Sequence, residues 1–160
     1  MNALRYGKVF GDETVAALID ENMTCVMVGD RLTALTDRLR ELLRECFGTV
    51  FTVGDSRSLL EGAQRLRPAL IVVDLALAEE GTAQLIRELK SNVPESRIIA
   101  LTLYEDPAVA QAAMAEGADG VVLKRLIGDD LLPAIDMVLS GRPFTSSCFE
   151  ADLPFATPAR

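Results

Sequence analysis

Short, near-continuously apolar runs alternate with amphipathic segments between Thr24 and Ser140. Five runs read as strands: Cys25–Gly29, Val50–Val53, Leu70–Asp74, Arg97–Thr102 and Gly120–Lys124. They lack the in–out alternation of a half-exposed sheet, as expected for parallel strands covered on both faces. Between them, Leu32, Leu35, Leu39, Leu42, Leu43 and Cys46 follow helical spacing, and so do Leu59, Leu60, Ala63 and Leu66. The same holds for Leu85, Ile86 and Leu89, for Val109, Ala110, Ala113 and Met114, and for Leu131, Leu132, Ile135, Val138 and Leu139. Asp55 and Asp106 stand where helix N-caps are needed, Gly117 where a helix stops, and Pro133 near the start of the last helix.

The spacing is that of a repeated strand–helix unit. Asp74 and Thr102 are 28 residues apart and Thr102 and Lys124 are 22 apart, room in each case for a strand and a crossover helix. Asp30 and Asp74 are 44 apart, two units with the Val50–Val53 strand between them. Right-handed crossovers bring every strand C-terminus to one edge, the edge that carries ligands in open α/β sheets. The expected fold is therefore α/β, a doubly wound five-stranded parallel sheet. Residues 1–23 hold a short amphipathic stretch, Val15–Ile19, readable as one helix capped by Asp12, and residues 143–160 read as a tail with three of the seven prolines. Each is either a frayed terminus or an arm that docks on the domain or on a second subunit.

At 160 residues, with 49% hydrophobic and 25% charged content, the chain supports one globular domain with a real core. No run is long enough to span a membrane and the start is not a signal peptide, so the cytosol is the default compartment. A net charge of −8 without a Lys/Arg cluster argues against direct nucleic-acid binding. The absence of histidine removes Ser-His-Asp chemistry and His-ligated metals, and makes any phosphohistidine a partner's. Cys25, Cys46 and Cys148 are too scattered for a disulfide framework and read as small packing residues where they fall in elements.

Candidate chemistry lies at the strand tips. Apolar runs end on Asp30, Asp74, Thr102 and Lys124. A carboxylate at the end of a buried strand is costly unless something satisfies it. A carboxylate can act as a nucleophile toward phosphorus, with charge on the phosphoryl oxygens neutralised around it. Asp74 is the candidate nucleophile, Asp30 a second carboxylate for a shared Mg²⁺, and Lys124 and Thr102 an ammonium and a hydroxyl for the phosphoryl oxygens. Singly, Asp30 could be a helix cap, Thr102 a β-branched strand residue and Lys124 an edge lysine; the coincidence of four strand ends carries the argument.

Over about residues 24–142 the chain resembles the receiver domain of two-component response regulators. The matching segments are Val72–Leu77 with Gly81, Ala100–Thr102, and Gly117–Lys124. That last block, with Ser140–Phe144 further on, is most similar to receivers joined to helix-turn-helix output domains, although only twenty residues follow Ser140. The resemblance implies a flavodoxin-like fold with strand order 2-1-3-4-5. It also implies phosphoryl transfer to Asp74 from a histidine kinase or phosphotransfer protein, Mg²⁺ held by Asp30, Asp74 and the Ala76 backbone carbonyl, and a homodimer through the last helix–strand–helix face. Such a chain would be a regulator rather than an enzyme, with turnover limited to its own acyl phosphate.

The chain departs from that family pattern in several places. Gly29-Asp30 stands for two consecutive acids, which implies weaker Mg²⁺ binding; Ala78 and Arg125 stand for prolines, and Val121 for the aromatic switch residue. Tyr104 is expected to be a half-buried loop aromatic and Glu79-Glu80 a solvated rim. The alternatives are a degenerate binding module of the same fold that signals without phosphorylation, and a small flavodoxin-like enzyme or nucleotide binder. The second of these lacks a Gly-rich phosphate loop at any strand–helix joint.

Overall fold

In the computed structural model residues 25–31, 33–79 and 81–152 are described, and the residues named above as Asp12, Val15–Ile19, Leu32 and Glu80, with the end of the 143–160 tail, lie outside them. The chain runs β1 (Cys25–Gly29), α1 (Thr33–Arg44), β2 (Thr49–Val53), α2 (Ser56–Leu66), β3 (Leu70–Asp74), α3 (Thr82–Asn92), β4 (Arg97–Thr102), α4 (Pro107–Ala115), β5 (Gly120–Leu123), α5 (Ile127–Leu139) and β6 (Phe144–Thr145). Short 3₁₀ turns follow β3 (Leu75–Leu77), β5 (Lys124–Leu126) and β6 (Ser147–Asp152). All strand pairs are parallel, in the order β2-β1-β3-β4-β5-β6. The order 2-1-3-4-5 and the flavodoxin-like architecture expected from the sequence are both present, with one more strand.

Two core layers flank the sheet. Met27, Ile71, Val73, Ile98, Ala100, Val121 and Leu123 pack with Leu59, Leu77, Leu85, Ile86 and Leu89 on the side of α2, α3 and α4. Val26, Val28, Leu70, Val72, Ile99, Leu101 and Val122 pack with Leu39, Leu43, Leu131, Ile135 and Val138 on the side of α1 and α5. Successive residues of each strand thus take opposite sides, and that alternation decides where the strand-end side chains go.

Local chemistry sets the element boundaries. The Asp55 carboxylate accepts from Ser58 N–H at 2.7 Å and the Asp106 carboxylate from Ala108 N–H at 2.9 Å, the expected N-caps. Gly117 follows α4 with φ of 115°, a left-handed conformation a side chain would strain. Pro133 is displaced from its expected place. The 3₁₀ turn after β5 leads directly into α5, so the helix begins at Ile127 and Pro133 lies inside it. Asp129 and Asp130 then occupy the first turn, where acids suit the helix dipole. As an edge strand, β2 is only partly covered, with Phe51 exposed, so the two-sided burial expected of all five strands holds for the inner ones.

The segment after α5 adds to the core. Phe144 N–H donates to Asp119 O and Ser146 N–H to Val121 O, fixing β6 beside β5. Phe149 and Ser146 are fully buried, and the Ser146 hydroxyl accepts from Leu123 N–H at 3.0 Å. At the opposite end of the sheet from the candidate site, Asp119 accepts from Ile98 N–H at 2.8 Å and pairs with Lys90 at 3.1 Å and Arg97 at 3.4 Å.

Candidate functional site

The parallel register puts the ends of β1, β3, β4 and β5 at one edge, with Gly29 opposite Val73, Asp74 opposite Leu101 and Thr102 opposite Leu123. Each strand tip is pinned by backbone. Asp30 N–H donates to Val53 O at 3.0 Å, and the chain turns into a 3₁₀ helix directly after Asp74 and after Leu123. Asp74 caps its own turn, with Oδ1 accepting from Ala76 N–H at 2.9 Å. Leu75 and Leu77, the apolar residues that follow it, are buried and anchor the turn in the core.

By alternation Asp30 and Asp74 belong to the layer of α1 and α5, and Lys124 enters from the same side. Its Nζ donates to Asp74 Oδ2 and lies 3.5 Å from Asp30 Oδ2, so one ammonium serves two carboxylates. Their side chains are 2%, 5% and 0% exposed for Lys124, Asp74 and Asp30. Charges this deep are retained only when paired. Thr102 belongs to the other layer, buried, with Oγ1 accepting from Tyr104 N–H at 3.1 Å. The four strand-end residues chosen from sequence therefore meet at one edge, three of them in direct contact.

A divalent cation has a partial donor set here: two carboxylates that a single ammonium can reach, and the backbone of Ala76 beside Asp74. Mg²⁺ needs only one or two carboxylates when water and phosphate complete the octahedron, so these residues fit it. Among the described residues no cluster of three or more His, Cys, Asp or Glu is close enough to hold a metal by side chains alone.

One expectation is corrected by the geometry. Tyr104 is 70% exposed rather than half-buried, next to the exposed Leu103, because the loop after β4 carries it outward while Thr102 turns in. Gly29, the position that the resemblance gives to a first acid, is tightly flanked. A Cβ there would lie 2.9 Å from Leu77 Cδ2 and 3.0 Å from Leu59 Cδ2, in the opposite layer. The residue beside Asp30 that does leave toward the rim is Arg31, which sequence reasoning passed over. Its guanidinium donates to Glu79 Oε1 at 2.7 Å, so the expected solvated Glu79 is exposed but paired across two loops. Asp55, just after β2, has its carboxyl held below the usual range by the Ser58 N–H and then the Ser58 hydroxyl, with a smaller contribution from the Arg31 charge. On the far rim Arg125 pairs with Glu105. The aromatic switch position is filled by buried Val121. Cys46 is a buried packing residue whose thiol is pushed up to about 11 mainly by burial.

Among the described residues no helix is long and apolar enough to cross a membrane. Residues 26–136 match the family model of the response regulator receiver domain. Among curated proteins the chain is 26% identical over 121 residues to the transcriptional regulatory protein LnrK of Bacillus subtilis, covering 74% of this chain and 55% of that protein. It is 27% identical over 128 residues to the transcriptional regulatory protein RcsB of Escherichia coli, covering 78% of this chain and 59% of that one. The chain thus spans somewhat over half the length of these relatives, which are regulators by name. Among solved structures, the isolated receiver domain of RcsB from Salmonella enterica serovar Typhimurium with phosphomimetic BeF₃⁻ superposes with a TM-score of 0.73 at 25% identity, covering 81% of this chain and 97% of that one. A Burkholderia pseudomallei response regulator with a phosphorylated aspartic acid and a calcium ion gives 0.64 at 28% identity, covering 74% and 69%. The parallel sheet, the acid–lysine cluster at its C-terminal edge and the family match over residues 26–136 agree: this chain belongs to the response regulator receiver family.

Proposed function

We propose that the chain accepts a phosphoryl group on Asp74 and signals by a change of surface. The observation that carries this reading is the buried ion pair of Asp74 with Lys124 at the sheet edge. In the transfer an Asp74 carboxylate oxygen attacks phosphorus. The new O–P bond forms as the N–P bond of a partner's phosphohistidine breaks, and the donor nitrogen keeps the bond's electron pair. Lys124 Nζ, already at Asp74 Oδ2, sets its charge against the phosphoryl oxygens. Thr102 accepts from Tyr104 N–H, which leaves its own hydrogen to donate to another phosphoryl oxygen. Asp30, Asp74 and the Ala76 carbonyl would hold Mg²⁺, which when bound adds positive charge beside those oxygens.

The phosphoryl donor is a histidine kinase or phosphotransfer protein, in keeping with the response regulator receiver family. Recruiting the Thr102 hydroxyl would draw on the loop carrying exposed Leu103 and Tyr104, and a loop with two arrangements is the element such a switch needs. The output surface is the α4–β5–α5 face, used for a homodimer; a solved RcsB assembly is described as two dimers bound to two parallel DNAs. The chain performs no reaction beyond making and losing its own acyl phosphate. The second reading is a module that signals without phosphorylation, to which the departure at Gly29, where the family resemblance gives an acid, lends support.

The deciding experiment is incubation with Mg²⁺ and phosphoramidate followed by intact mass. An acid-stable, base-labile phosphoryl adduct that disappears in Asp74→Asn supports the proposal. No adduct in the wild type at any Mg²⁺ concentration selects the second reading.

A further inference from the structure

We propose that Ser146 is a positioning residue for Lys124, so that the segment after α5 belongs to the phosphoryl site. The role in transfer rests on the phosphoacceptor reading of Asp74; the positioning of Lys124 rests on geometry alone.

The strand tips are held in different ways. Asp30 N–H donates to Val53 O of β2, and Asp74 caps its own turn, both within the five inner strands. At the level of Leu123, β5 has a strand on one side only, where Thr102 of β4 lies opposite it. On the other side β6 pairs with Gly120 and Val121 and ends at Thr145. Leu123 is fully buried, and an N–H there needs a partner from the protein. Ser146, also fully buried, accepts that N–H on its hydroxyl oxygen at 3.0 Å. Its side chain thus continues the ladder one step beyond the end of β6. The backbone of Ser146 is fixed in turn, its N–H donating to Val121 O and its carbonyl accepting from Phe149 N–H, each at 3.0 Å. Phe149 is fully buried in the layer of α2, α3 and α4, which anchors the turn.

Lys124 is the next residue after Leu123, and the 3₁₀ turn begins there. Its side chain is 2% exposed, with Nζ on Asp74 Oδ2 and 3.5 Å from Asp30 Oδ2. Removing the Ser146 hydroxyl leaves the Leu123 N–H unsatisfied in the interior, a cost the strand tip relieves by moving. The Lys124 backbone moves with it, and the ammonium is carried off the oxygens it neutralises during transfer. Small misplacements of a charge at a reacting centre are costly in rate. Ser146 touches none of the reacting atoms; it acts through Leu123.

The test uses the full chain, its Ser146→Ala and Ser146→Thr variants, and Leu89→Ala as a control. Leu89 is fully buried near the end of α3, beside Lys90, which pairs with Asp119 at the far end of the sheet. Its loss destabilises the fold away from the strand tips. Ser146→Cys, near in size but a weak acceptor, takes the place of Ser146→Ala if that variant does not fold. Phosphorylation by phosphoramidate with Mg²⁺ is expected to slow about 10-fold in Ser146→Ala, and less than about 3-fold in Ser146→Thr and Leu89→Ala. The nitrogen resonance of the Lys124 ammonium is read through its carbon-bound neighbours and assigned by its loss in Lys124→Met. It is expected to move in Ser146→Ala and to stay in place in Leu89→Ala. An unmoved resonance in Ser146→Ala, or a rate loss there no larger than in Leu89→Ala, overturns the proposal and leaves the phosphoacceptor reading intact. No adduct in wild type, with the resonance displaced in Ser146→Ala alone, overturns the phosphoacceptor reading and upholds the positioning of Lys124.

Discussion

Replacing Lys124 by methionine removes the one ammonium that two buried carboxylates share. The side chain keeps its length, so the loss is of charge rather than of packing. Removing one partner of a buried ion pair costs about 3–5 kcal/mol, because the charges left behind stay desolvated with that opposite charge gone. Burial, not distance, sets that figure. The Arg57–Glu61 pair is closer, at 3.0 Å against 3.5 Å for Lys124–Asp30, but its side chains are 87% and 60% exposed, and such helical pairs contribute only about 0.3–0.5 kcal/mol. With a urea m-value of about 2 kcal/mol/M, Lys124→Met should lower the midpoint by roughly 2 M, and Arg57→Met by roughly 0.2 M. Urea titration followed by far-UV circular dichroism suits a chain without tryptophan. The double variant Lys124→Met with Asp30→Asn should regain part of the loss, since it leaves one carboxylate rather than two, and a double-mutant cycle reads that coupling. A midpoint shift in Lys124→Met no larger than in Arg57→Met, or no recovery in the double variant, would refute the reasoning.

Other consequences follow from the same geometry. Phe149→Ala empties a fully buried site beyond β6 and should cost about 3–5 kcal/mol by urea titration; a loss under about 1 kcal/mol would show that this segment is not part of the core. The Asp55 carboxyl is held below its usual range by Ser58, so the unfolded state binds its proton first and the stability it contributes is present above, and lost below, about pH 4. Asp55→Asn keeps an N-cap but should show a shallower decline in urea midpoint between pH 6 and pH 3 than wild type; parallel declines would sink that assignment.

The inner strands were legible because burial on both faces leaves an unbroken apolar run, as in Leu70–Val73 and Ile98–Leu101. Asp55, Asp106 and Gly117 were legible because capping and positive φ select few residue types. What escaped has physical reasons too. A two-residue strand such as Phe144–Thr145 carries no periodicity, and its place beside β5 comes from backbone bonds to Asp119 and Val121. Pro133 was misplaced because a helix can start inside a polar stretch when a 3₁₀ turn feeds it. At the site, the tips Asp30, Asp74, Thr102 and Lys124 were readable one by one, but not the layer each would face. Adjacency in sequence put Gly29 next to Asp30; alternation in the strand turned it toward Leu59 and Leu77, and left Arg31 to meet Glu79 across a gap of 48 positions.

The central claim is that Asp74 itself takes the phosphoryl group. Borohydride reduces an aspartyl phosphate to homoserine, so treating the phosphoramidate-loaded protein with it and sequencing the peptides by mass spectrometry reads out the modified residue. The account predicts homoserine at position 74 alone, in protein incubated with donor and absent without it. Homoserine at position 30 or elsewhere, or none at all, would contradict it.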